Sequence, residues 1–297
     1  MKRRIYQSLR ILLLSGILLY QCSSIPEKYP NGDFNFMVIS DTHISSDTSK
    51  DNRLKDFILK INRGEFPGVE LLFVSGDVVS SHYIQYDSLN SRKETSRLQK
   101  AVDIFDKLNI PYYLIMGNHD YKIDSQHDSD YPFSFSYLHK MEDIWQKTTG
   151  HSPNYSFIHN GWKFIILSSF RGRQRTQHFS DKQLDWLKKE LNNDLPSLLF
   201  FHHPLKTDHF KVWCSYKTRI NPKRDSQFYD ILKRNKNSIK GIFVGHGHFW
   251  VHDSLFDTIP VYETDSFADN KKAQFLIVAV DNFNKTVQAA KNAKRID

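Results

Sequence analysis

The chain has 297 residues, 39% of them hydrophobic, 14% aromatic and 25% charged, with 41 basic residues against 33 acidic for a formal charge of +8. This balance excludes intrinsic disorder and low complexity for the chain as a whole and leaves ample sequence for a large core. Two cysteines, Cys22 and Cys214, exclude a disulfide-rich scaffold.

Residues 1–10 carry Lys2, Arg3, Arg4 and Arg10 with no acidic residue, and Ile11 to Tyr20 is almost purely apolar. This is the layout of an export signal, with an apolar run about half of the ~20 residues a spanning helix needs. The segment ending Leu18-Leu19-Tyr20-Gln21-Cys22-Ser23-Ser24 resembles a bacterial lipoprotein box, although Tyr20 and Gln21 are bulkier than the residues usual there. The expected organisation is a signal peptide over 1–21, a tether over 22–33 that includes Pro26 and Pro30, and a single folded domain over 34–297. A lipid on Cys22 would hold the exported protein at a cell-envelope membrane and would preclude an intramolecular disulfide with Cys214. Simple cleavage or an uncleaved signal is the alternative. Loss of the four basic residues of the signal lowers the formal charge to +4. That mild excess is poor evidence for nucleic-acid binding, and a nuclease is disfavoured.

The domain opens with a predicted strand over Phe34 to Ser40, a helix marked by Leu54, Phe57, Ile58 and Ile61, and a strand over Leu71 to Ser75. A second helical stripe of Leu98, Val102, Phe105 and Leu108 leads to a strand over Pro111 to Met116. Residues 121–161 are polar and aromatic with little periodicity. Trp162 to Ser168 reads as a strand, Asp181 to Leu191 as a helix with Leu184, Leu187 and Leu191 on its apolar face, and Ser197 to Phe201 as a strand. A basic, aromatic loop over Leu205 to Lys223 precedes a helix containing Phe228 to Leu232 and a strand over Gly241 to Val244. Val261, Phe275 to Val280 and Thr286 to Ala290 read as closing strands, with a hairpin turn at Asn282 to Asn284. Strand–helix alternation followed by a β-rich end predicts one mixed α/β domain.

Asp41 and His43, Asp77, Asn118 and His119, His202, and His246 with His248 all follow apolar runs. They therefore stand at the C-terminal ends of predicted strands, the edge where open α/β sheets bind ligands. Carboxylate, amide oxygen and imidazole without thiolate suit Mn, Fe, Zn or Ni and argue against an iron–sulfur cluster or a structural zinc knuckle.

The blocks Asp41-Thr42-His43, Gly76-Asp77, Gly117-Asn118-His119-Asp120, His202-His203-Pro204 and Gly245-His246-Gly247-His248, in that order, resemble the calcineurin-like metallophosphoesterase family. The resemblance implies a four-layer α/β/β/α sandwich of two mixed sheets flanked by helices. It implies two divalent metal ions, one held by Asp41, His43 and His248, the other by Asn118, His202 and His246, with Asp77 bridging both. His203 is not expected as a ligand. It also implies hydrolysis of a phosphomonoester or phosphodiester by a bridging hydroxide, with His119 protonating or stabilising the leaving oxygen and Asp120 orienting His119. Two ions ~3.5–4 Å apart clamp phosphoryl oxygens and lower the pKa of water. Their +4 against two carboxylates and a hydroxide leaves a net +1 to attract the phosphate of a small molecule, nucleotide or lipid headgroup. The second block often continues to Asp or Asn three residues after the bridging Asp. Ser80 stands here instead, so altered support around Asp77 is expected.

Substrate contacts are less legible. Arg171-Gly172-Arg173-Gln174-Arg175 offers forks for a second phosphate, Phe249 and Trp250 offer either stacking or packing, and Phe210, Trp213 and Tyr216 offer a rim. The competing expectation is a surface lipoprotein that keeps the scaffold as a non-catalytic binding module. The intact set of matched ligand positions argues against it.

Overall fold

The computed structural model describes residues 32–82, 96–122, 133–172, 177–209, 219–292 and 294–295. The expected signal, Cys22, most of the tether, the Arg173–Arg175 cluster and the Phe210, Trp213 and Tyr216 rim lie outside the described residues. Among those described, no helix is long and apolar enough to cross a membrane.

The chain runs β1 (Phe34–Ile39), α1 (Thr48–Asn62), β2 (Val69–Val74), α2 (Arg97–Phe105), β3 (Tyr112–Leu114), a 3-10 turn over His119–Tyr121, α3 (Phe135–Thr149), β4 (Tyr155–His159), β5 (Trp162–Ile166), α4 (Asp181–Leu191), β6 (Ser197–Phe200), α5 (Ser226–Arg234), β7 (Ile239–Val244), β8 (Val251–Leu255), β9 (Ile259–Glu263), β10 (Leu276–Asp281), β11 (Thr286–Lys291) and β12 (Lys294–Arg295). Two six-stranded sheets result, in the orders β12-β11-β10-β1-β2-β3 and β4-β5-β6-β7-β9-β8. In the first, β1, β2 and β3 are parallel, with Met37 opposite Leu72 and Phe73 opposite Tyr113. In the second, β5, β6, β7 and β9 are parallel. The closing hairpin β10–β11 adds antiparallel strands to β1.

Three apolar layers hold these elements. Phe36, Phe73, Phe164, Phe200 and Phe243 fill the space between the sheets. The rings of Phe73 and Phe200 stack at 4.1 Å, and Phe36 meets Phe243 edge-on at 5.4 Å. The outer face of the first sheet packs on Leu54, Phe57, Ile58 and Ile61 of α1, on α2 and on Leu138, Met141 and Trp145 of α3. The outer face of the second packs on Leu184, Leu187 and Leu191 of α4 and on α5. A strand buried on both faces is apolar on both, which is why β1 and β6 read as nearly continuous apolar runs, broken only by the buried Asn35 and Ser197, rather than as alternating ones. The expected α/β/β/α sandwich is the observed fold.

Helix α4 begins at the expected residue because Ser180 accepts from the Gln183 amide while the Gln183 side chain accepts from Ser180 N, a closed capping box. Helix α3 and β4 fall in the stretch that lacked evident periodicity. Only Leu138, Met141 and Trp145 of α3 are buried, so its apolar stripe is thin. Its ends are nonetheless marked, by Ser134 capping Tyr137 N and by Gly150 in the left-handed conformation at φ 79°.

Phe73→Ala removes the ring at the centre of the inter-sheet stack, and the expected loss is about 3–5 kcal/mol of unfolding free energy. Urea unfolding of wild type and variant measures it, and a loss below about 1 kcal/mol would contradict this packing.

Candidate metal centre

Five strand ends supply the site. Asp41 and His43 follow β1, Asp77 follows β2, Asn118 and His119 follow β3, His202 follows β6, and His246 and His248 follow β7. Because the parallel strands of both sheets point the same way, these ends meet at one edge of the sandwich. The donor atoms of Asp41, His43 and His248, of His43, Asp77 and His119, and of Asp77, His202 and His246 form three groups, each within 4.8 Å.

The backbone here is unusual. Asp41, His43, Asp77, His246 and His248 have positive φ of 53°, 42°, 49°, 72° and 59°. Non-glycine residues rarely adopt this region, and such strain persists only where the surroundings over-determine it. Asp41 N donates to Gly76 O at 3.1 Å and His43 N to Asp77 O at 3.0 Å, so the two loops lock each other. Close approach requires glycine beside them. A Cβ on Gly76, itself at φ 91°, would lie 2.3 Å from the His202 ring, and one on Gly245 would lie 1.8 Å from Ser40 Oγ.

Each carboxylate has one oxygen tied and one presented. Asp41 Oδ2 accepts from Ser40 Oγ at 2.5 Å and His246 N at 3.0 Å, while Oδ1 faces His248 Nε2 at 3.1 Å and His43 Nε2 at 3.7 Å. Asp77 Oδ1 accepts from His119 N at 2.8 Å, while Oδ2 faces His202 Nε2 at 3.2 Å and His43 Nε2 at 3.9 Å. His246 Nδ1 lies 3.2 Å from His202 Nε2. Asn118 Oδ1 is buried beside them with no hydrogen-bond partner. A buried amide oxygen left unpaired costs about 1–3 kcal/mol, and a cation is the partner this donor set fits. Two O/N groups could thus each hold a divalent ion: Asp41, His43, His248 and Asp77 on one side, and Asp77, Asn118, His202 and His246 on the other.

His119 is a third exposed, and its Nε2 lies 4.0 Å from Asp77 Oδ2. Its orientation corrects one expectation. Asp120 does not hold the His119 ring, whose Nδ1 instead lies 2.9 Å from the carbonyl of Ser80. Asp120 is fully buried behind Asp77 and accepts from the amides of Gly117, Val78 and Val79 at 2.8, 3.2 and 3.0 Å, which fixes the two ligand loops to one another. Burial and the neighbouring Asp77 charge push its carboxyl up to about 8.

His203 belongs to none of the three donor groups, although its ring packs 4.6 Å from that of His246. Its Nδ1 lies 2.9 Å from Ser169 Oγ, Nε2 is buried without a partner, and burial followed by the neighbouring histidines holds its pKa well below the usual value. Trp250 takes the packing alternative, against the inter-sheet layer with Lys291 Nζ 4.7 Å over its ring. Arg171 reaches the Phe179 carbonyl at 3.4 Å. Residue-type reasoning missed Ser40 and Asp269, which touch the site only through hydrogen bonds to ligands. Asp269 Oδ2 lies 2.5 Å from His248 Nδ1.

The charges divide the histidines into two kinds. Burial lowers His202 and His248, but Asp77 outweighs it at the first and Asp41 at the second, raising both to about 9. Burial dominates at His43 and His246, which fall to about 4 and about 3. In the metal-free chain the two raised groups therefore contribute stability that is fully present below their ordinary 6.5 and lost as pH rises through about 9. Both must lose a proton to become ligands. Manganese loading at pH 7.5 is expected to release about two protons from these rings. Calorimetric titration in buffers of different ionisation enthalpy counts them, and release of none would contradict the assignment.

The sequence profile of the calcineurin-like phosphoesterases matches residues 34–249. A protein of Synechococcus sp. named as a probable cyclic nucleotide phosphodiesterase is 23% identical over 181 residues, 60% of this chain; the chain spans 58% of the length of that relative. Among solved structures, a dimetal phosphatase from Danio rerio superposes with a TM-score of 0.59 at 15% identity, covering 88% of this chain and 96% of that one. A 5'-nucleotidase from Candida albicans superposes at 0.50 and 12% identity, covering 89% and 52%. With five ligand-bearing loops at one sheet edge and the profile spanning all of them, the chain belongs to the calcineurin-like phosphoesterase family.

Proposed function

We propose that this chain is a metal-dependent phosphoester hydrolase, a phosphodiesterase or phosphomonoesterase with a dinuclear centre bridged by Asp77. The observation that carries the reading is the place of Asp77 Oδ2, which lies 3.2 Å from His202 and 3.9 Å from His43, between the two donor groups. The unpaired Asn118 Oδ1 supports the second group. Two divalent ions, Mn, Fe, Zn or Ni, would supply the charge that draws phosphoryl oxygens and makes hydroxide available near neutral pH.

The chain's own residues do the rest. The amides of His119 and His246 hold the far oxygens of Asp77 and Asp41, so neither carboxylate can turn away from the ions. The Ser80 carbonyl accepts Nδ1–H of His119 and so leaves Nε2 as the atom that gives a proton to the departing oxygen. The name of the Synechococcus relative supports nucleotide phosphodiesters as the first natural substrates to test. Export and anchoring through a lipid on Cys22 complete the proposal, supported by the basic and apolar layout of residues 1–20.

Hydrolysis of bis-p-nitrophenyl phosphate and of p-nitrophenyl phosphate with added manganese tests the reading. Asp77→Ala is expected to lose both metal binding and turnover. His119→Ala is expected to keep its metal and lose about 10²–10⁴-fold in rate, most for poor leaving groups. Equal loss of metal in both would refute the role given to His119. In cells, Cys22→Ala is expected to abolish labelling by a radioactive fatty acid and to release the protein from membranes; membrane retention without label would refute the anchor.

A further inference from the structure

We propose that Asp269 is a positioning residue that fixes the His248 ring and thereby sets the affinity of the more exposed of the two ion sites. The inference rests on the metal-centre reading above. Asp269 Oδ2 lies 2.5 Å from His248 Nδ1. With Nδ1 donating to that carboxylate, Nε2 is aimed at Asp41 Oδ1, 3.1 Å away, and at His43 Nε2, 3.4 Å away. A proton on Nε2 bonds that carboxylate oxygen; once it leaves, the lone pair faces a carboxylate oxygen and a second imidazole nitrogen, and a cation among them is what relieves the repulsion.

The carboxylate is delivered by a rigid path. Asp269 follows β9 of the second sheet, yet its segment is bonded to the start of the first-sheet site. Ser40 and Ser266 form a parallel bridge, Phe267 N donates to Ser40 O at 2.9 Å, and Ala268 N donates to Asp41 O at 3.1 Å. From α1, Arg53 Nη1 donates to the carbonyls of Phe267 and Ala268 at 2.9 and 2.8 Å. The residue that orients His248 is thus held to the same backbone that carries Asp41.

The two ion sites differ in this respect. His202 is fully buried and its Nδ1 meets the neutral Ser75 carbonyl at 2.8 Å, so burial and a backbone hydrogen bond keep that ring in place without a charged partner. The His248 side chain is 36% exposed and the Asp269 side chain 54% exposed, so the ring depends on its charged partner. Outer partners of this kind are worth about 10–100-fold in metal affinity.

Manganese titration of the full-length protein, followed by bound-metal analysis and electron paramagnetic resonance, tests this. Wild type is expected to bind two ions with a coupled signal. Asp269→Ala is expected to weaken one ion about 10–100-fold and show an uncoupled signal at limiting metal, while Asp269→Asn, which keeps an acceptor oxygen, retains most of the affinity. Both variants keep the backbone bond from residue 269 to Ser266 Oγ. Two ions bound as in wild type by Asp269→Ala, equal weakening of both ions, or equal losses in the Ala and Asn variants would overturn the proposal. A wild-type chain that binds no ion would overturn it together with the metal-centre reading. In the zinc-loaded wild type, imidazole 15N spectra should show His248 coordinated through Nε2 with Nδ1 protonated; coordination through Nδ1 would overturn it independently of any variant.

Discussion

The contact between Asp77 and His202 joins the two sheets at the point where chemistry is expected. Asp77 ends a strand of the first sheet and His202 a strand of the second, and their side chains meet at 3.2 Å with essentially no exposure. An ionised carboxylate buried to this depth is tolerable only with compensating charge. Burial opposes its ionisation, but His202 and His119 outweigh that and hold Asp77 well below the usual carboxylate range. A site that needs countercharge from both sheets cannot form unless they pack in one register, so the aromatic layer beneath it serves the site as well as the stability of the domain.

Strain and charge are concentrated in the same loops. Five candidate ligand residues sit at positive φ, and each such residue costs about 1–3 kcal/mol. The unpaired Asn118 oxygen adds to the cost. What offsets them is bonding from behind: Asp120 gathers three amides from two loops, and Ser40 holds Asp41. Without an ion, the donor atoms face one another with only protons on His202 and His248 to relieve the repulsion. An ion bound here would replace that partial compensation with a fuller one, and the preformed backbone would let the exchange occur without refolding.

Much of this was legible in the sequence because both sheets are parallel where the ligands lie. Strands buried on both faces give continuous apolar runs, and the residue after such a run stands at the ligand edge, so Asp41, Asp77, Asn118, His202 and His246 could be placed without coordinates. Helix α3 was not legible because only one thin stripe of it is buried. Asp269 was invisible for another reason: it follows no strand directly, and its relation to His248 exists only after the chain beyond β9 crosses to Ser40. Asp120 was seen but given the wrong neighbour, since adjacency to His119 in the chain says nothing about which amides its carboxylate will reach.

Ser80 illustrates how a departure from a family pattern can be absorbed. The sequence placed a shorter side chain where Asp or Asn is usual, and altered support around Asp77 was the natural expectation. In the structure the atom of residue 80 that touches the site is its carbonyl, bonded to His119 Nδ1. Any residue supplies that carbonyl, so the orientation of His119 does not depend on the side chain at this position. The Ser80 hydroxyl instead lies 3.3 Å from Arg97 at the head of α2, which also donates to Ser81 Oγ. The substitution therefore falls on how α2 is tied to the Asp77 loop, one step removed from the ligands, and the geometry that Asp77 needs is kept by Asp120 through the amides of Val78 and Val79.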